Sequence, residues 1–550
     1  MNNTKNRPIA FLAVILGFFM ALLDTTIVNV TLPKMTEHFN TTMNHISWVV
    51  NGYNLAFAVL IITASSLADR FGRKKLFIFG VFIFTTSSLL AGLSNSIEIL
   101  IFFRVLQGLS AAFVVPVTVP LAVDIFPPEK RGLIMGLWGA FAGLAAACGP
   151  ALGGILTEYF SWRYIFFINV PIGIICILLT LKFIKESYDP TAPKSIDSAG
   201  ILTISSAMFC LTLALIKAND KGWSSAFILS LFAISAVSFI LFVIIELKIK
   251  NPMLPLNLFK IVPFTNGAIS LFLLGLGMMS SAYFLSFFLI QVKGLDQLTV
   301  GLIISTMSIG SIISSMLSTM LVKKISGRWL SALGMCLLSL GCFSYSFLTQ
   351  YSSNSDIIIR LLLSGLGMGL CMSTLMNSMI KNVPIDKIGI TSGINNMTRT
   401  LGTVLGVALF LTIFTSNIDT EMSHAKDNAI KIVQADTVFD AKAKDGMVAS
   451  LKSNDSKSTT LSDVLKKIDA SEELALKNSP PILQDKIKQS FTAQKTETKK
   501  IWPVIQEKFK THTVNAFSFT FKCSSVILLP GIFFALFSDK VKPKIKKEVA

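Results

Sequence analysis

The hydrophobic positions of this chain gather in uninterrupted runs of about 20 residues or more, the length a helix needs to cross a bilayer. The runs lie near 9–32, 46–67, 76–94, 98–122, 133–157, 164–184, 198–217, 224–246, 264–290, 298–322, 330–349, 357–379, 389–416 and 514–537. The pattern predicts an all-α integral membrane protein with about fourteen transmembrane helices. The first run is too long for a cleaved signal peptide, lacks a small-residue cleavage site and is soon followed by a second apolar helix. Between Ile9 and Leu32 a single charge interrupts the apolar pattern, the carboxylate of Asp24.

Composition supports this reading. Of 550 residues, 52% are hydrophobic and 15% charged, more apolar surface than a soluble core requires. The net charge of +18 acquires meaning once it is mapped. Alternate connections collect Arg70, Arg73, Lys74 and Lys75, then Lys130 and Arg131, Lys182 and Lys185, Lys248 and Lys250, Lys323, Lys324 and Arg328, and the basic tail. The short loops opposite hold only Lys34, Arg163, Lys217, Lys221 and Lys293. That asymmetry places both termini in the cytoplasm, and it accounts for the basic charge without a nucleic-acid partner. The seven cysteines lie inside apolar runs and the four histidines form no ligand-like pair, which argues against a disulfide framework, a metal site and most enzyme chemistry. No Gly-x-x-x-x-Gly-Lys-Ser/Thr loop occurs, so no cofactor is expected and ATP is not the expected energy source.

Polar groups inside the runs are the candidates for function. An aspartate at mid-bilayer costs about 2.5–3.5 kcal/mol on insertion scales, which makes Asp24 a natural place to load and unload a proton. Thr25, Thr26 and Asn29 lie within one helical turn and offer it hydrogen bonds; the alternative is a carboxyl group satisfied by a neighbouring helix and chemically idle. Arg104 stands inside the fourth run, ahead of Gln107 and Gly108, and needs a carboxylate, carbonyls or water nearby. Both a functional and a packing role are open to it. Asp69 lies beside the cations of the loop around Gly72, and Asp124 ends the fourth run. The fifth run is rich in small residues and contains Gly149-Pro150-Ala151-Leu152-Gly153-Gly154, a closely packing face with a missing backbone donor.

These stretches, taken together, resemble the major facilitator superfamily, and within it the fourteen-helix drug:proton antiporters that export quaternary ammonium compounds and other drugs. Leu23-Asp24 through Asn29-Val30-Thr31-Leu32-Pro33 looks like that group's first-helix signature. Leu67-Ala68-Asp69-Arg70-Phe71-Gly72-Arg73-Lys74 is similar to the superfamily loop, Arg104-Val105-Leu106-Gln107-Gly108 to the proton-associated motif, and Gly149 to Gly154 to the antiporter motif. Ser65, Ser110 and Ala145 replace glycines of those patterns by other small residues. The resemblance implies a cytoplasmic latch of Asp69, Arg73 and Asp124, a tuning role for Arg104 in protonation, and a bias towards exchange at Gly149, Pro150, Gly153 and Gly154.

The chain also repeats itself faintly. The loop at Leu67 is echoed at Leu321 and Arg104 at Arg360, each about 255 residues further on, as a duplicated six-helix unit with an inserted helix pair requires. The expected organisation is an N-terminal bundle over 1–188, a linker with two extra helices over 189–250, and a cytoplasmic amphipathic segment over 251–263. Five further bundle helices span 264–416, followed by a polar outer insertion over 417–512, the last helix over 513–539 and a basic tail over 540–550. Asn29, Tyr53, Asn54, Gln107, Asn395, Asn396 and Arg399 are candidates to line a substrate cavity. The expected function is proton-gradient-driven export of amphipathic, cationic organic compounds by a bacterial plasma-membrane protein, a monomer whose partners are its small-molecule cargo and membrane lipid. A dedicated exporter of a lipid, siderophore or metabolite is the alternative on the same fold. A scaffold or receptor using the outer insertion, with a partner bound there, is the alternative of another class.

Overall fold

The computed structural model describes residues 7–126, 131–188, 197–249, 252, 254, 256–322, 324–381, 383, 388–452, 461–477 and 479–539. The expected basic tail therefore lies outside the described residues. Every apolar run became a helix. The first half consists of α1 (Arg7–His38), α2 (Met43–Phe71), α3 (Arg73–Gly92), α4 (Ile97–Ile125), α5 (Arg131–Tyr159), the short α6 (Tyr164–Phe167) and α7 (Asn169–Phe183). The linker pair is α8 (Ser198–Lys221) and α9 (Ala226–Lys248). The second half has α10 (Val262–Phe287), α11 (Gln297–Leu321), α12 (Gly327–Tyr345), α13 (Asn354–Lys381) and α14 (Ile388–Ala435). Helices α15 (Ala441–Lys452) and α16 (Leu461–Lys477) follow, and α17 (Pro481–Leu536) closes the chain. Among the described residues, eleven helices are long and apolar enough to span a membrane; α2, α5 and α12 occupy expected runs without being among the eleven.

Local chemistry sets the helix ends. Thr42, Ser96, Asp197, Ser225 and Asp296 cap α2, α4, α8, α9 and α11 by accepting a hydrogen bond from the backbone N–H three residues on, which satisfies donors a helix start leaves open. Within the apolar runs the serines and threonines mostly turn back to their own helix. Thr25, Thr26 and Thr31 each donate to the carbonyl three residues before, so the hydroxyls do not demand water. Large apolar side chains such as Phe79, Phe82, Leu178, Leu202, Phe239 and Ile240 are exposed, as a surface solvated by lipid permits.

In the first half α4 packs against α2 and α3, and α1 against α5 and α7; in the second α13 packs against α11 and α12. The halves meet along α5–α11 and α1–α10. The described hydrogen bonds between them involve Ser286 Oγ donating to the Asn29 carbonyl (3.1 Å), Tyr283 Oη to the Met43 carbonyl (3.0 Å), the Gln297 N–H to Glu158 (3.1 Å) and Ser308 Oγ to the Ala146 carbonyl (2.9 Å). Three of these four lie towards the end of the bundle marked by His38 and Tyr159. Close approach there depends on glycine. A Cβ on Gly154 would sit 2.5 Å from the Gln297 carbonyl oxygen, and one on Gly149 would sit 1.9 Å from Thr26 Oγ1.

Residues Phe414–Phe519 form a second compact unit. Ala429, Val433, Phe439, Leu451, Ile501 and Ile505 make its small core, and within it Lys495 pairs with Asp469 and Glu472. His512 bonds Glu421 through Nδ1 at 2.6 Å, and its Nε2 lies 3.1 Å from Asn428.

The α5–α11 seam yields a first test. Gly154→Val should destabilise the purified protein by about 1–3 kcal/mol, the usual range for overpacking a tight contact. Gly446→Ala, where a Cβ would meet nothing within 4 Å, should not lower the melting temperature. Thermal unfolding of both variants in the same detergent checks the difference.

Candidate functional site

Asp24 on α1 is fully buried and Arg104 on α4 is 1% exposed. The guanidinium Nη1 donates directly to Asp24 Oδ2. The same Nη1 reaches Gln107 Oε1 at 3.0 Å, and Nε donates to the Val49 carbonyl at 2.9 Å. The Tyr53 ring lies 4.4 Å from the guanidinium carbon, so a cation–π contact covers the face that hydrogen bonds leave open. The second carboxylate oxygen, Oδ1, accepts from Asn169 Nδ2 at 3.2 Å and lies 3.5 Å from Gln107 Nε2. Asn169 is held in turn by Ser88 Oγ at 3.0 Å, and Ser88 donates to the Phe166 carbonyl. Five helices thus supply one buried, formally neutral cluster: α1, α2, α3, α4 and the start of α7. A buried pair of this kind persists because its remaining lone pairs and protons are met by further hydrogen bonds.

The expected local partners of Asp24 do not reach it. Thr25 and Thr26 donate to the carbonyls of Leu22 and Leu23, and Asn29 Nδ2 donates to the Thr25 carbonyl at 3.2 Å. Helical hydroxyls find their own backbone first, and Asp24 points at other helices. Gln107 and Tyr53, expected in a substrate cavity, instead belong to the Asp24–Arg104 cluster. Asn169 is the residue that sequence reasoning missed. Its position at the start of an apolar helix after Phe166-Phe167-Ile168 was the available signal. Asn54 is buried on α2, and Asn29 contributes its carbonyl to the contact with α10.

At the other end of the first half, Arg73 Nη1 meets Asp124 Oδ2 at 3.0 Å. The Asp69 side chain lies outside the described residues. A further acid stands where none was expected. Glu186, just past α7, accepts from the backbone N–H of Lys74 (2.8 Å) and of Lys75 (3.2 Å), and the Arg73 N–H donates to the Ser187 carbonyl. Its carboxylate caps α3, where the helix dipole favours negative charge. Gly72, at φ +114°, leaves room for it: a Cβ there would lie 2.6 Å from the Glu186 carboxyl carbon.

The second half carries no copy of the cluster among the described residues. Arg360 pairs with Asp356 on its own helix at 2.9 Å, and both are partly exposed. Gly153 and Pro150 lie on the face of α5 that meets α1 and α11, with Ile27 against Gly153 and the Pro150 carbonyl against Gly301. On α14, Asn395 is 1% exposed and neither of its amide atoms has a hydrogen-bond partner, while the Nε of Arg399 is buried and also lacks one. Asn396 does have interactions of its own. Among the described residues no group of His, Cys, Asp and Glu side chains could hold a metal ion.

The fold defines a multi-pass membrane carrier built from two helical halves, with a buried ion pair in the first. The chain belongs to the Major Facilitator Superfamily, whose family model matches residues 14–407; the match ends short of the Phe414–Phe519 unit. The tetracenomycin C resistance and export protein of Streptomyces glaucescens is 31% identical over 415 residues, 75% of this chain and 77% of that protein. Multidrug resistance protein 3 of Bacillus subtilis is 31% identical over 423 residues, 76% of this chain and 82% of its own length. The riboflavin transporter RibZ of Clostridioides difficile is 29% identical over 414 residues, 75% of this chain and 90% of the relative. Among solved structures, the inward-facing, occupied form of a bacterial homologue of the human lysosomal transporter Spinster superposes with a TM-score of 0.57 at 14% identity, covering 96% of each chain. That likeness concerns the fold. The protein is accordingly a transporter of small molecules and not an enzyme.

The two ionic arrangements differ in expected worth. Removing one member of the buried pair, as in Arg104→Leu, should cost about 3–5 kcal/mol, because Asp24 is left uncompensated. The double variant Asp24→Asn/Arg104→Leu should recover much of that loss. Asp124→Ala should cost about 0.2–1 kcal/mol, as exposed pairs do, and Glu186→Ala about 0.5–2 kcal/mol, as lost helix caps do. Denaturant or thermal unfolding of the set gives the ranking.

Proposed function

We propose that this carrier is a proton-coupled antiporter that exports amphipathic organic compounds, drugs among them, from the cytoplasm or inner leaflet. The observation that carries the reading is the fully buried carboxylate of Asp24 in direct contact with Arg104 inside a first half whose relatives are named for drug resistance and export. Protonating Asp24 replaces a neutral ion pair by an uncompensated guanidinium. Proton loading therefore changes the charge of the bundle core by one, and that change can be coupled to rearrangement of the halves. A proton moving down a membrane potential contributes about 2.3 kcal/mol per 100 mV, and no cofactor is called on.

With both termini in the cytoplasm, the contacts of Asn29, Met43, Glu158 and Gln297 with the other half close the outer end. Arg73 and Asp124 then stand at the inner end, where with Asp69 they are the candidate latch, and Glu186 fixes the start of α3 beside them. The Gly149–Gly154 stretch serves as the surface on which the halves rock. Asn29, Asn54, Asn395, Asn396 and Arg399 remain the candidates for cargo contact. A cationic cargo loses its main support, because Asp24 is matched by Arg104 and is not free to attract one. A dedicated metabolite exporter is the second reading, and the similarity to a riboflavin transporter favours it. Family membership lends nothing to a scaffold or receptor reading.

Everted membrane vesicles test the coupling. Adding a transported compound to wild-type vesicles preloaded with protons should release them, and Asp24→Asn should reduce the release to that of empty vesicles while leaving the protein in the membrane. A full proton response in Asp24→Asn would sink the assignment.

A further inference from the structure

Three arginines sit within apolar helices away from their ends. Arg104 is paired with Asp24 and Arg360 with Asp356. Arg399 of α14 has no ion pair among the described residues, and its Nε is buried without a hydrogen bond. It does not stand alone. Thr391, Asn395 and Arg399 follow one another at four-residue steps, so they share one face of the helix. Thr391 is fully buried with no partner for Oγ1, and Asn395 is 1% exposed with neither Oδ1 nor Nδ2 bonded.

That face points into protein and not into lipid. Two turns of nearly inaccessible side chains lead up to Arg399, and the α10 backbone crosses close by. A Cβ on Gly275 would lie 2.1 Å from the Arg399 carbonyl oxygen, and one on Gly402 would lie 2.1 Å from the Phe272 carbonyl oxygen. Arg399 itself is partly exposed, unlike Thr391 and Asn395.

Buried polar atoms are nearly always hydrogen-bonded, and a buried cation without a counter-charge is the most costly exception. Here three successive positions of one face leave such atoms open. Asp24 and Arg104 cancel, whereas Arg399 has no ion pair among the described residues and shares its helix face with two buried, unbonded polar side chains. Its fork of N–H donors suits a planar acidic group, with the Asn395 amide and the Thr391 hydroxyl able to donate beside it.

We propose that Thr391, Asn395 and Arg399 form a subsite for the acidic oxygen of an amphipathic organic anion, such as a carboxylate, phenolate or sulfonate carried on an apolar ring system. The proposal deepens the exporter reading and rests on it for the direction of movement. Carrying a negative charge outwards is favoured by an inside-negative potential, so an anionic cargo and an inward proton draw on the same field.

The test is equilibrium binding to the full-length protein in nanodiscs of neutral lipid, with two matched dansyl probes, one ending in a carboxylate and the other in a trimethylammonium group. The wild type should bind the carboxylate probe about tenfold tighter or more than the ammonium probe, the scale of charge-assisted hydrogen bonds. Arg399→Gln should erase that preference and leave the ammonium probe bound as before. Asn395→Asp, which places an internal carboxylate one turn from Arg399, should do the same without removing the cation, and Arg399→Lys should keep part of the preference. Equal binding of the two probes to wild type, or parallel loss of both in the variants, would overturn the proposal. The measurement uses no gradient, so failed proton coupling would leave it readable. Absence of an anion preference would leave the exporter reading standing.

Discussion

A buried carboxylate cannot remain ionised in an apolar helix without a partner, and the first half of this protein is arranged to provide one. Asp24 contributes the acid, Arg104 the opposite charge, and Gln107, Asn169 and the Val49 carbonyl complete the hydrogen bonding. Each of these groups comes from a helix that also packs against its neighbours through apolar side chains. The cluster therefore ties the polarity of the core to the geometry of the bundle. A change in protonation must be felt by every helix that touches it, which is the property a coupled carrier needs.

The second half does not carry the same chemistry among the described residues. Arg360 is satisfied within its own helix and near solvent, and Thr391, Asn395 and Arg399 leave unpaired polar atoms along one face of α14. Helix packing depends on apolar pattern and small residues, which both halves have. Buried ionisable groups are a separate matter, because each needs its own partner. The two halves can thus share an architecture while one holds a buried ion pair and the other offers open donors.

The seam between the halves runs along α5, where glycines allow close approach on both sides. Gly149 and Gly153 let α1 lie against α5, and Gly154 and Gly301 let α11 approach it from the other side. Contacts of this sort carry little directional energy, so two helices can slide or separate without breaking strong bonds. Near one end, Glu158, Asn29 and Met43 add single hydrogen bonds across the halves. At the opposite end of the first half, charges dominate: Arg73 with Asp124, and Glu186 over the start of α3. The contacts across the halves are thus small-residue packing and single hydrogen bonds, while the ionic contacts tie helices together within the first half.

The amino-acid sequence by itself determined the helices, their order and the class of protein, because the length of an apolar run and the residues that punctuate it are local properties that the bilayer converts directly into spans. It also singled out Asp24, Arg104, Arg73, Asp124 and the Gly149–Gly154 stretch, since charge and glycine inside apolar helices are conspicuous wherever they occur. Only the tertiary structure decided who meets whom. Thr25, Thr26 and Asn29 are neighbours of Asp24 along the chain, yet they bond their own helix, while Arg104 and Asn169 arrive from 80 and 145 residues away. Glu186 drew no notice in the linear pattern until the fold set its carboxylate on the start of α3, and that Arg399 has no acid beside it among the described residues is known only from the packing. Hydrogen bonds and ion pairs act over a few ångströms, so a linear pattern can name the groups but the packing of helices alone brings their atoms within reach.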